Sequence, residues 1–78
     1  MKKMILYTKP VCHLCDEMKN VLFNLKKEVD FEFEEVNIEQ NEVLFEKYKE
    51  KIPVLIMNGN MIAKYRITKE NLLRLITR

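Results

Sequence analysis

The sequence predicts an α/β domain with the element order βαβαββα. Three observations carry that prediction. A short apolar run, Met4-Ile5-Leu6-Tyr7, ends at Pro10 and gives way to a helical period. A second apolar run, Val54 to Met57, opens at Pro53 and closes on Asn58-Gly59. Between and after them lie two further stretches of helical period.

Lys3 to Thr8 reads as the first strand, stopped by Pro10, which has no N–H to give a ladder. From Cys12 the period is helical: Cys15, Met18, Leu22, Leu25 and Val29 recur at steps of 3, 4, 3 and 4, and Leu14 and Val21 widen the stripe. Asp16 and Glu17 fall in the first turn and Lys26 and Lys27 in the last, as the helix dipole favours. Phe31-Glu32-Phe33-Glu34 alternates as a strand, then slips one place to Val36-Asn37-Ile38. The slip predicts either a bulge or a strand that begins near Phe33. Gln40 to about Lys49 reads as a second helix carrying Leu44, Phe45 and Tyr48 inward.

Val54 to Met57 is apolar on both faces, as an interior strand is. Asn58-Gly59 supplies two residues that tolerate positive φ, the requirement of a type I′ hairpin, and Gly59 is the only glycine. Asn60 to Tyr65 is the expected antiparallel partner. Thr68 is positioned to cap a last helix through Leu72, Leu73 and Ile76. Ile67 before that cap and Leu72 after it fit a hydrophobic staple. With no repeat, linker or low-complexity tract, residues 1–78 read as one domain.

Composition narrows the function classes. A chain of 78 residues, 47% hydrophobic and 33% charged, is an ordinary small globular domain. It buries roughly 60–65% of its unfolded surface, so its stability is modest. A net charge of +2 and the lack of a basic, aromatic platform argue against nucleic-acid binding. The charge is uneven: from Glu28 to Glu46 there are eight acids and no Lys or Arg, and from Lys47 onward the balance is basic. The division reads as two solvated faces of opposite sign, or as a docking edge for a charged partner. The apolar run after Lys3 is too short for a signal-peptide core or a membrane span, so the chain is expected in the cytoplasm. In that reducing compartment a close pair of cysteines is more often catalytic or metal-binding than structural.

Both cysteines and the single histidine lie in Cys12-His13-Leu14-Cys15, at the predicted strand-to-helix junction. The attacking species in disulfide exchange is the thiolate, and an ordinary Cys is mostly protonated at neutral pH. A thiol at a helix N-terminus faces unsatisfied N–H groups and the positive end of the dipole, which stabilise the anion. Cys12 is so placed, and Cys15 falls one turn into the helix on its apolar stripe. Cys12 is therefore expected to form the mixed disulfide and Cys15 to resolve it. Lys9 and His13 are candidates to add positive charge nearby, and Asp16 and Glu17 to oppose it. His13 reads as a tuning group or an exposed bystander, and Tyr7 as a wall of the site or plain core. A bridge across so short a step removes little loop entropy, so it is no structural staple. A structural zinc site wants four ligands, and one chain offers two cysteines and an ill-placed histidine.

The stretch Ile5-Leu6-Tyr7-Thr8-Lys9-Pro10-Val11-Cys12-His13-Leu14-Cys15 resembles the glutaredoxin strand, Tyr-Thr-Lys-Pro segment and Cys-x-x-Cys pair. The element order and Lys51-Ile52-Pro53-Val54 extend the resemblance over nearly the whole chain, and the chain looks like a glutaredoxin-like member of the thioredoxin-fold superfamily. Cys-His-Leu-Cys with Ile-Pro-Val-Leu is most similar to a small glutaredoxin-like family. The resemblance implies a four-stranded mixed sheet flanked by helices on both faces. It also implies a cis bond at Pro53 beside Cys12, with the backbone of Ile52 free to pair with an extended substrate.

By the same resemblance Lys9 stands where glutaredoxins contact the glycyl carboxylate of glutathione. The Gly-Gly pair and acidic helix start that recognise the tripeptide are replaced by Ala63-Lys64-Tyr65-Arg66-Ile67-Thr68, and His13 replaces the usual proline. The Tyr65-Arg66 region is similar to redoxins that thioredoxin reductase reduces. The function implied is that of a monomeric dithiol–disulfide oxidoreductase acting on protein or small-molecule disulfides. It binds no cofactor and is reduced by glutathione or a thioredoxin-reductase-type donor. The competing readings are a non-catalytic protein-binding module of the same fold and a dimer sharing an iron–sulfur cluster.

Overall fold

The computed structural model describes residues 2–77. Four strands form one sheet in the order β2-β1-β3-β4: β1 (Lys2–Thr8), β2 (Phe31–Asn37), β3 (Val54–Met57) and β4 (Asn60–Lys64). β2 runs parallel to β1, and β3 and β4 run antiparallel to their neighbours, so the sheet is mixed. Three helices complete the order: α1 (His13–Lys26), α2 (Glu42–Tyr48) and α3 (Lys69–Ile76). No described helix is long and apolar enough to cross a membrane.

The two faces of the sheet are covered differently. Met4, Leu6, Phe31 and Leu55 pack with Met18, Leu22 and Leu25 of α1 and with Leu72 and Ile76 of α3. Strand alternation sends Tyr7, Val54 and Ile56 to the opposite face, where Ile38, Leu44, Phe45 and Tyr48 cover them. Ile67 joins the first cluster with Leu72, and the Thr68 hydroxyl accepts the N–H of Asn71, so the expected staple and cap both form.

The slip in β2 is neither a bulge nor a late start. β2 pairs with β1 in unbroken register from Lys2↔Phe31 to Thr8↔Asn37. Phe31 and Phe33 face α1, Val36 faces away, and Ile38 has left the strand for a 3₁₀ turn, Ile38–Gln40. The bulge lies instead between β3 and β4, where Leu55 opposes Ala63 and Ile56 opposes Met61, leaving Ile62 unmatched. The second helix is shorter than its pattern because the Asn41 side chain accepts the N–H groups of Val43 and Leu44, starting α2 at Glu42. Val29 lies beyond α1, in a turn whose N–H bonds return to Leu25, yet still reaches the core. Asn58 and Gly59 take φ values of 55° and 79°, as the hairpin requires.

Candidate redox site

The site is built where β1 ends and α1 begins. Thr8, the last residue of β1, is buried, and its hydroxyl donates to Glu35 of β2 at 2.8 Å. Lys19 of α1 lies 3.3 Å from the same carboxylate oxygen and 3.6 Å from Asp16. The hydrogen bond to Glu35 chiefly holds the Lys19 pKa above its ordinary value; burial opposes it, and the charges of Glu35 and Asp16 add to the rise. This network ties the end of β1 to β2 and to the first turn of α1.

The chain then crosses Lys9, Pro10 and Val11 to Cys12, the N-cap of α1. Val11 has φ 53° and is fully exposed, an unusual conformation for a β-branched residue. Cys12 and Cys15 form a disulfide, with Cα atoms 5.2 Å apart. Cys12 is half-buried, Cys15 is 1% exposed, and the N–H of Cys15 donates to the Cys12 Sγ at 3.2 Å. The sulfur thus accepts from one of the orphan donors at the helix start.

Tyr7 and Ile52 share an apolar cluster with the two cysteines, and Tyr7 stacks on Tyr48 with ring centroids 4.8 Å apart. The Ile52–Pro53 bond is cis, and Pro53 is buried at the start of β3. Lys9 and His13 stand apart from this group. Lys9 is exposed and makes no ion pair among the described residues. His13 is exposed, with Nε2 3.9 Å from Glu17. The first-turn acids are occupied elsewhere, Asp16 by Lys19 and Glu17 by Arg66 at 3.6 Å. A cavity of about 500 Å³ is lined by Glu39, Glu42, Phe45 and Glu46 rather than by the cysteines.

Two features near the site were not legible as site residues. Tyr48 supplies the second ring of the stack; the signal was available, because alternation puts Tyr7 on the face that α2 must cover. Tyr65 centres a γ turn with φ 65°, closed by a 2.8 Å bond from the Arg66 N–H to the Lys64 carbonyl. Its own N–H donates to the Pro53 carbonyl at 2.9 Å and its hydroxyl to the Glu50 carbonyl at 2.8 Å. No local pattern in the sequence signals that turn.

Residues 3–77 match the family model of the glutaredoxin-like domain (DUF836). A glutaredoxin-like protein from Dictyostelium discoideum, described as a YDR286C homolog, is 32% identical over 72 residues, covering 85% of this chain and 67% of the relative. The solution structure of protein Ne2328 from Nitrosomonas europaea is 32% identical and superposes with a TM-score of 0.82 over 95% of this chain and 89% of its own. A mutant thioredoxin from Halobacterium salinarum, 18% identical, superposes at 0.64 over 96% of this chain and 71% of its own, a likeness of fold alone. With a Cys-x-x-Cys pair capping α1 on a thioredoxin-like sheet, the chain belongs to the glutaredoxin-like domain family.

Proposed function

We propose that the protein is a dithiol–disulfide oxidoreductase with Cys12 as nucleophile and Cys15 as resolving thiol. The observation that carries this reading is the asymmetry of the pair. Cys12 Sγ sits at the helix cap against the Cys15 N–H, while Cys15 is buried behind it. An anion on Cys12 gains from that N–H and from the helix dipole, and Cys15 gains neither exposure nor access. In the forward direction the Cys12 thiolate attacks one sulfur of a substrate disulfide, whose S–S bond breaks and whose other sulfur leaves as a thiolate. Cys15, on losing its proton, attacks Cys12 Sγ and expels the second substrate sulfur. Two electrons pass to the substrate, and the protein ends as the Cys12–Cys15 disulfide. An external thiol donor, glutathione or a thioredoxin-reductase-type protein, returns it to the dithiol.

The test follows NADPH loss during reduction of a small disulfide, with glutathione and glutathione reductase in one cell and thioredoxin reductase in another. Turnover in either cell that Cys12→Ser abolishes supports the reading, with Cys15→Ser accumulating mixed disulfides. Full activity of Cys12→Ser, or silence in both cells together with ordinary Cys12 alkylation at mildly acidic pH, favours a non-catalytic binding module.

A further inference from the structure

The two edge strands of the sheet differ in charge: β2 carries Glu32, Glu34 and Glu35, and β4 carries Lys64 and no acid. From Lys47 to the end there are eight Lys or Arg and two acids. Between β4 and α3 runs a groove of about 360 Å³ with Ile62, Ala63, Ile67 and Leu75 along its floor and Arg66 and Arg74 exposed at its rim. No carboxylate lines it. Leu75 is half-buried and belongs to neither core cluster, and Arg74 has no ion-pair partner among the described residues.

The Arg66 end of this groove is tied to the redox site from two sides. The γ turn that carries it is bonded to the Pro53 carbonyl through the Tyr65 N–H. The Arg66 Nε contacts Glu17 of α1, the helix that Cys12 caps. The Arg66 end of the groove is thus the end anchored to α1 and to Pro53.

We infer that the groove between β4 and α3 docks an acidic segment of the protein partner whose disulfide or dithiol exchanges with Cys12 and Cys15. A carboxylate of the segment meets the guanidinium of Arg74, whose planar fork suits carboxylate geometry, while Arg66, its Nε already facing Glu17, has only its terminal nitrogens to offer a second one. An apolar side chain between them covers Ile62, Ile67 and Leu75. A basic segment is repelled from the same border, so the groove selects by charge as well as by shape. This inference rests on the dithiol reading for the exchange step but not for the docking itself.

The test titrates ¹⁵N-labelled oxidised protein with a capped peptide of alternating Glu and Leu, with a Lys-Leu peptide as control. Shifts confined to residues 62–67 and 71–75, weakened about tenfold by Arg74→Glu and strongly reduced at about 0.5 M salt, support the inference. Arg74→Gln gives an intermediate loss and guards against a fold defect in the charge reversal. Cys12→Ser, compared with the reduced protein, leaves the titration unchanged. In turnover, a peptide disulfide with acidic flanks is reduced faster than one with basic flanks. Arg74→Glu removes that preference while small-disulfide turnover is unaltered. Binding that ignores Arg74, maps elsewhere or is matched by the Lys-Leu peptide overturns the inference. Absent turnover of every disulfide together with ordinary Cys12 alkylation at mildly acidic pH, with the peptide shifts intact, overturns the dithiol reading and leaves the docking groove standing.

Discussion

The backbone N–H of Cys15 donates to the Sγ of Cys12 at 3.2 Å, which makes the nucleophile also the cap of its own helix. The two roles separate by substitution. Serine keeps an accepting side chain at the cap and alanine does not. Under reducing conditions Cys12→Ala unfolds more easily than Cys12→Ser, by about 1 kcal/mol, as read from urea midpoints. Both variants are inactive, so the pair shows that loss of activity is not loss of fold.

Val11 stores backbone strain beside the reacting sulfur. Its φ of 53° disfavours a β-branched residue, and its side chain, 103% exposed, has no packing to lose. Val11→Asn relieves the strain at a residue type that tolerates this conformation, and stabilises the protein by about 1 kcal/mol. The melting temperature rises by several degrees, on the order of 4–8 °C per kcal/mol for a domain of this size. An unchanged or lower midpoint contradicts the strain argument.

Tyr48 is 6% exposed and stacks on Tyr7 with 18° between the ring planes. Tyr48→Ala opens a void under α2 and costs about 3 kcal/mol. The Tyr48 hydroxyl makes no side-chain hydrogen bond among the described residues. Tyr48→Phe therefore changes stability by under about 0.5 kcal/mol. Denaturant unfolding of the two variants separates ring packing from the hydroxyl.

Gly59 has φ 79°, and a Cβ built there meets nothing within 4 Å. Gly59→Ala therefore suffers from the backbone conformation alone, by about 1–2 kcal/mol. A loss well above that range in thermal unfolding points to a contact that the hairpin does not show.

Lys19 gives the protein a dependence on alkaline pH. Its folded-state value is raised above 10.5, first by the hydrogen bond to Glu35. The stability this supplies is present in full below the unfolded value and is lost as pH rises through the folded one. Urea unfolding of the protein and of Lys19→Met, compared at neutral pH and at about pH 11.5, checks the sign: the gap between them narrows at high pH.

The elements that could be read from the sequence were those with a local cause. Asn58-Gly59, the Ile67–Thr68 cap with Leu72, and the Cys15–Met18–Leu22–Leu25 stripe each declare their geometry within a few residues. β2 was ambiguous because Ile38 continues the apolar pattern of the strand after the backbone has turned away. The Cys12–Cys15 core of the site was legible for the same reason as the helix that bears it. The surroundings were not. The bonds of Tyr65 to Pro53 and Glu50, the pairing of Arg66 with Glu17 and the stack of Tyr7 on Tyr48 all join residues far apart in the chain. Lys9 and His13, close to Cys12 in sequence, are exposed to solvent instead.

The β-bulge at Ile62 has a consequence for how crowded copies of this protein behave. An outer strand offers a row of free N–H and C=O groups on which another chain can add a strand. Here β4 breaks its register at Ile62, and β2 carries Glu32 and Glu34 exposed along its length. Two copies brought β2 to β2 set like charges opposite one another, and two brought β4 to β4 cannot keep step across the bulge. A sheet of only four strands thus resists pairing like edge with like, at one border by repulsion and at the other by misfit.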